Sequence, residues 1–103
     1  MTHLEPIIQN QIDWSIPTFG EGKRTIGLIK HIQKELLEIE KNPDDLLEWI
    51  DVIILAMDGA HRLGYSPDEI TQALVNKMRI NKNRVYPKVS EDQPSEHIKD
   101  DGQ

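Results

Sequence analysis

The 103-residue sequence predicts an all-α fold, a short helical bundle of three main helices preceded by an N-terminal arm and completed by homo-oligomerisation. Three observations lead there. From Arg24 to Lys41 and again after Ser66, apolar residues recur at intervals of three and four, the period of a helix with one face turned to a core. Between these stretches, Asn42-Pro43-Asp44-Asp45 and Gly64 to Glu69 carry the residue types that end one helix and start the next. The most apolar segment, about Pro43 to Leu63, is too long for a buried strand and is capped at both ends.

Residues 1–23 hold Pro6, Pro17, Gly20 and Gly22 among scattered apolar residues. This predicts one short helix around Pro6–Asp13, then an irregular arm and a loop from Thr18 to Arg24. The next helix runs from Arg24 to Lys41, with Ile29, Ile32, Leu36 and Ile39 on its inner face. Asn42 as N-cap, Pro43 at the first helical position and two acids in the first turn then open the central helix. That helix is apolar nearly all round, so it needs cover on several sides. Gly64 fits its C′ position. Ser66-Pro67-Asp68-Glu69 reads as a capping box with proline at N1, opening a last helix through Ile70, Leu74 and Met78 to about Asn81 or Asn83. Residues 1–86 thus make one domain. Residues 87–103, with five acids against two bases and two prolines, are expected to form a disordered acidic tail. Three helices with one over-hydrophobic member do not close a core in so short a domain, and a dimer or tetramer is expected.

Composition narrows the function classes. With no cysteine, disulfides, thiolate zinc sites and cysteine nucleophiles are excluded. No apolar run approaches the ~20 residues of a membrane span, and Met1-Thr2-His3-Leu4-Glu5 lacks a signal-peptide pattern, so a cytoplasmic protein is expected. A net charge of −6 argues against stable nucleic-acid binding through the overall field.

Two short acidic frames carry the chemistry. Glu35-Leu-Leu-Glu38 and, after a nine-residue spacer, Glu48-Trp-Ile-Asp51 each place two acids three residues apart, roughly 60° apart around a helix axis. Between the acids stand bulky apolar residues, so each pair rides at the margin of a core. Two such helices packed together bring four negative charges close, which is costly unless a cation neutralises them. Oxygen-only ligation points to a hard divalent ion, Mg²⁺ or Mn²⁺. His31, one turn before Glu35, is placed to hydrogen-bond that carboxylate. Asp58 suits an ion pair with Arg62 better than a further ligand role. Downstream the sign reverses. Lys77, Asn81 and Arg84 fall at i, i+4 and i+7 on one face, a spacing suited to a phosphate-facing strip or to an ordinary basic helix end. Trp14 and Phe19 in the arm suit either stacking on a base or anchoring the arm.

The wider strings resemble a known family. Thr18-Phe19-Gly20, Arg24-Thr25-x-Gly27 and His31-Ile32-x-Lys34-Glu35-Leu36-Leu37-Glu38-Ile39-Glu40 are followed by Asp45-Leu46-x-Glu48-Trp49-Ile50-Asp51-Val52-Ile53-Ile54-Leu55-Ala56-x-Asp58-Gly59-Ala60 and by Lys77, Asn81, Arg84 and Pro87. Together they resemble the MazG-like all-α nucleoside triphosphate pyrophosphatases, in their phage and bacterial dATP/dGTP pyrophosphohydrolase (MazZ-like) branch. The resemblance implies hydrolysis of a purine deoxynucleoside triphosphate to the monophosphate and pyrophosphate, in nucleotide-pool cleaning or modified-base DNA synthesis. It implies two or more Mg²⁺ or Mn²⁺ ions held by Glu35, Glu38, Glu48 and Asp51, one of these carboxylates orienting the attacking water. Lys34, Lys77, Asn81 and Arg84 would then bind phosphates, with Ile12 and Trp14 near the base. If phage-encoded, such an enzyme works in the host cytoplasm. Tyr86 stands where that branch leads one to expect tryptophan. The competing expectation is a non-catalytic helical oligomerisation or interaction module, in which the acidic frames are structural.

Overall fold

Helix α1 (Leu4–Phe19), α2 (Thr25–Lys41), α3 (Leu46–His61) and α4 (Pro67–Lys82) follow one another in a computed structural model that describes residues 3–98. Outside the helices, the described residues contain a single isolated antiparallel bridge, Val85 to Ile98. Contacts divide the chain into two units, Met1–Thr71 and Gln72–Gln103.

The first unit corrects the expected arm. Instead of a short helix and irregular chain, residues 4–19 form one continuous helix that includes Pro17. Pro6 lies in the first turn, where its missing N–H forfeits nothing. Pro17 comes late enough to remove only one intrahelical bond. Thr18 Oγ1 donates to Trp14 O at 2.6 Å, and Gly20 N closes the helix on Ile16 O at 2.8 Å. At Gly20 the chain turns away with φ 94°, a conformation that glycine adopts without strain. Local sequence signals for breaking were present, but tertiary anchoring of Ser15 and of the 20–22 loop outweighs them.

α2 and α3 pack on each other across the short 42–45 connection, as antiparallel neighbours do, and α1 packs on α3. The start of α3 also differs from expectation. Asn42 caps the end of α2, its N–H bonded to Glu38 O and Ile39 O, and Pro43-Asp44 forms a turn. Asp45 is the N-cap, its carboxylate accepting from Leu47 N at 3.0 Å. Trp49 Nε1 donates back to Pro43 O at 3.0 Å and ties the turn to the helix. The end of α3 and the start of α4 are as expected. Gly64 takes φ 101°, and the capping box closes with Ser66 N to Glu69 Oε1 at 3.0 Å and Glu69 N to Ser66 Oγ at 3.1 Å.

What is buried is unusual. Ile8 and Leu28 are the buried hydrophobic residues, whereas Ser15, Asp58, His61, Arg62 and Thr71 are the buried polar ones. Large apolar side chains such as Leu36, Leu37, Leu46, Leu47, Trp49 and Ile53 are about half exposed or more. A single copy of this unit leaves most of the apolar surface of α2 and α3 in water.

The second unit consists of the rest of α4 and an irregular segment. Of the expected acidic tail, residues 87–98 are described, and residues 99–103 lie outside the described residues. No described helix is long and apolar enough to cross a membrane.

Candidate active site

The α2–α3 hairpin sets the site. Glu35 comes from the middle of α2, and Glu48 and Asp51 from the first two turns of α3. One carboxylate oxygen from each of these three lies within 4.8 Å of the others. The interleaved residues explain the placement: Ile50, beside Glu48 and Asp51, is half-buried and holds that face of α3 inward. Of the four acids expected to converge, Glu38 stands outside this trio. Its side chain is 39% exposed and lies 4.0 Å from Lys41 Nζ.

Three anionic groups so close together repel one another. Partial burial, and then the charges of Asp45, Glu38, Glu35 and Asp51, push the Glu48 carboxyl above its ordinary value. His31 Nε2 lies 3.3 Å from Glu35 Oε1, the expected contact. An all-oxygen set of net negative charge on two packed helices fits a hard divalent cation and offers nothing to a soft one.

Beside the carboxylates opens a cleft of about 260 Å³. Glu35, Asp51 and His31 line it together with Trp14, Phe19 and Arg24, while Leu28, Ile54 and Leu55 supply apolar floor and Gln11 and Asp58 complete it. Trp14 meets Phe19 edge to face with centroids 5.3 Å apart, and the Arg24 guanidinium sits 4.5 Å over the Phe19 ring. The expected Trp14 and Phe19 therefore reach the site. Ile12 and Lys34 do not line the cleft. Gln11 and Arg24 were missed as lining residues. The signal for Arg24 was its place at the end of the Thr18–Arg24 loop, immediately before the helix that carries Glu35.

Behind the cleft stands a buried polar hub. Arg62 Nε donates to Asp58 Oδ2 at 2.8 Å, as the i,i+4 spacing predicts. Its two terminal nitrogens reach Gly20 O at 2.7 Å, Gly22 O at 2.9 Å, Ser15 O at 3.2 Å and Ser15 Oγ at 2.9 Å. Asp58 Oδ1 lies 2.7 Å from His61 Nε2 and accepts from Gln11 Nε2 at 3.5 Å. Burial raises the Asp58 carboxyl, but hydrogen bonds from Ser15, Arg62 and His61 and the Arg62 charge outweigh it and hold the group at about 2. One guanidinium thus fastens the end of α1 and the 20–22 loop to α3, which sets where Trp14, Phe19 and Arg24 stand.

In the second unit, Lys77 and Asn81 from α4 and Arg84 just beyond it line one concavity, as their spacing predicted.

A family model described as dATP/dGTP pyrophosphohydrolase matches residues 7–103. The chain belongs to that family. The Eaa protein of Salmonella phage P22 is 40% identical over 96 residues, covering 93% of this chain and 30% of that protein. A dATP/dGTP diphosphohydrolase of Salmonella phage PMBT28 is 38% identical over 91 residues, covering 86% of this chain and 29% of that one. The chain therefore spans under a third of the length of these two relatives. Among solved structures, a MazG-like pyrophosphohydrolase of cyanophage S-2L, bound to dGDP and three catalytic Mn²⁺ ions per active site, superposes with a TM-score of 0.73 at 26% identity. That match covers 96% of this chain and all of the other. The family match includes the acidic tail, for which the sequence alone offered no counterpart.

Proposed function

We propose that this chain hydrolyses purine deoxynucleoside triphosphates, dGTP and dATP, between the α and β phosphates, releasing the monophosphate and pyrophosphate. The observation that carries the proposal is the convergence of Glu35, Glu48 and Asp51 within 4.8 Å, two of them, Glu35 and Asp51, lining an aromatic and apolar cleft. Membership of the dATP/dGTP pyrophosphohydrolase family and the nucleotide- and Mn²⁺-bound structural relative support it.

In this reading Glu35, Glu48 and Asp51 hold divalent cations, Mg²⁺ or Mn²⁺, two or more per site, with Glu38 joining them on binding. The metal, when bound, neutralises phosphate charge and lowers the pKa of attacking water. The chain's own residues supply the rest. His31 holds the Glu35 carboxylate in orientation, and a carboxylate of the set takes the proton of the attacking water. Trp14 and Phe19 provide a face for the base, with Ile12 on the same helix contributing to base selection. Lys34, Lys77, Asn81 and Arg84 bind the phosphates. The exposed apolar faces of α2 and α3 are covered by a second copy, in a dimer or tetramer, a reading that their half-exposed leucines and Trp49 support. A nucleotide substrate places the work in the cytoplasm, that of the host for a phage-encoded protein.

Incubation of the protein with each dNTP and rNTP in Mn²⁺ or Mg²⁺, reading monophosphate and pyrophosphate, tests the reaction. The expected result is pyrophosphate from dGTP and dATP that EDTA abolishes. Orthophosphate as the first product, or undiminished turnover in EDTA, would refute it. Sedimentation at micromolar concentration tests the assembly, and a stable monomer would count against it.

A further inference from the structure

The segment after α4 does not leave the unit it belongs to. Asn83 N and Arg84 N bond back to Arg79 O, Ile80 O and Asn81 O, closing the helix. A turn follows, with Gln93 N on Ser90 O at 3.1 Å and Ser90 Oγ donating to Asp92 Oδ1 at 2.7 Å. The chain then returns. Ile98 N donates to Val85 O at 2.6 Å, the His97 ring meets Tyr86 edge to face with centroids 6.1 Å apart, and Ser95 Oγ donates to Pro87 O at 3.2 Å. The result is a concavity of about 450 Å³ with Lys77, Asn81 and Arg84 on one side and Ser95, Glu96 and His97 on the other.

The chemistry of that lining is selective. Lys77 and Arg84 present two fixed positive charges, and among the described residues neither is ion-paired. Glu96 is the single acid, so the cavity stays net positive. The Ser95 hydroxyl proton is committed to Pro87 O and maintains the turn. His97 has its ring edge placed by Tyr86 and a ring nitrogen to spare, which makes it the donor that the returning segment adds. A volume of this size suits a small polyanion.

We propose that this cavity is a phosphate-chain site of the enzyme and that the returning tail completes it, His97 donating directly to the anion that Lys77, Asn81 and Arg84 attract. The proposal rests on the reading of Lys77, Asn81 and Arg84 as phosphate-binding residues and goes beyond it, because it gives residues 95–97 a share in binding the phosphates. The family match through residue 103 agrees, since it places this segment within the family's shared domain. Net charge alone does not favour such a role for an acidic tail. Among the described acids of the tail, Glu96 lines the cavity and Glu91 and Asp92 do not.

The test is titration of inorganic pyrophosphate by calorimetry in EDTA, where the carboxylate site holds no metal. A parallel measurement of KM and kcat for dGTP is made with Mn²⁺. His97→Ala, and a chain ending at Pro94, are expected to weaken pyrophosphate binding about tenfold, the loss of one charge-assisted donor. They should raise KM for dGTP more than they lower kcat. His97→Asn, which keeps a donor, should recover most of the affinity, which a purely structural role for the ring would not allow. Melting temperature of each variant guards against unfolding. If Lys77→Ala and Arg84→Ala weaken binding while both tail variants bind as the parent does, the basic strip stands and the tail's role falls. If none of the four changes alters pyrophosphate affinity, the phosphate reading of the strip fails and the inference fails with it.

Discussion

Replacing Arg62 by alanine should be the most destabilising single change in the chain. Its guanidinium is buried and makes five hydrogen bonds, one to the Asp58 carboxylate, one to the Ser15 hydroxyl and three to the backbone carbonyls of Ser15, Gly20 and Gly22. Removing it leaves a carboxylate that is 3% exposed without its main counter-charge, and takes a donor from the Ser15, Gly20 and Gly22 carbonyls. Breaking one side of such a buried pair costs about 3–5 kcal/mol. An exposed pair such as Lys41–Glu38 contributes roughly 0–1 kcal/mol. In a chain of this size, 3 kcal/mol corresponds to a fall in Tm of about 12 °C or more. Urea denaturation of parent and variant at one fixed protein concentration measures the difference, with concentration held constant because assembly shifts apparent stability. Arg62→Lys should recover only part of the loss, since a single ammonium cannot span Asp58, Ser15 and the 20–22 loop at once. In a double-mutant cycle, Asp58→Asn should soften the Arg62→Ala penalty, because the stranded charge is then absent. A cost for Arg62→Ala within about 1 kcal/mol of zero would refute the hub.

Other expectations follow from the same geometry. Glu48→Gln should melt no lower than the parent in EDTA, since it relieves repulsion, yet lose the Mn²⁺-dependent gain. For the parent that gain is about 2.7 kcal/mol at a hundredfold excess over Kd, and an undiminished gain in the variant would remove Glu48 from the site. The Asp58 carboxyl is depressed to about 2 from an ordinary 3.8, so its contribution is present above pH 4 and lost as the pH falls towards 2. That contribution is about 2 kcal/mol, and acid titration of Asp58→Asn should lack this part of the decline. Ser66→Ala removes the bond that Glu69 N donates to Ser66 Oγ, leaving the one from Ser66 N to Glu69, and should cost about 1 kcal/mol by thermal melting, with no effect on Mn²⁺ binding.

The helical architecture was legible because the signals that encode it are local. The capping box at Ser66, the C′ glycine at 64 and the three-and-four pattern of α2 depend on residues within a turn or two of each other. The carboxylate frames were legible for the same reason. Three of the four acids meet within 4.8 Å, and Glu38, outside that trio, is close enough for its charge to act on Glu48. Elements decided at long range were not legible. Two prolines and two glycines argued against a full first helix. It forms because Arg62, more than forty residues away, holds Ser15 and the loop beyond. The shift of the α3 N-cap from Asn42 to Asp45 is a local matter by contrast, a choice between neighbouring capping residues in which Asp45 accepts from Leu47 N and Trp49 bonds back to Pro43 O. Gln11 belongs to no motif, and Arg24, though part of the Arg24-Thr25-x-Gly27 string, gains a role as a lining residue only once α1 and α3 are packed.

The chain has two tryptophans, one in the cleft that Glu35 and Asp51 line and one between Glu48 and Asp51 in sequence. Trp14 lies in the cleft against Phe19, and Trp49 sits between Glu48 and Asp51 in sequence with its indole N–H on Pro43 O. One indole therefore lies in the cleft and the other on the first turn of the helix that carries Glu48 and Asp51. Intrinsic fluorescence becomes a label-free optical reporter. Trp14→Phe leaves Trp49 to respond to charge changes at Glu48 and Asp51, and Trp49→Phe leaves Trp14 to be quenched by a stacked purine. Two single-tryptophan proteins can thus resolve the order in which cation and nucleotide arrive.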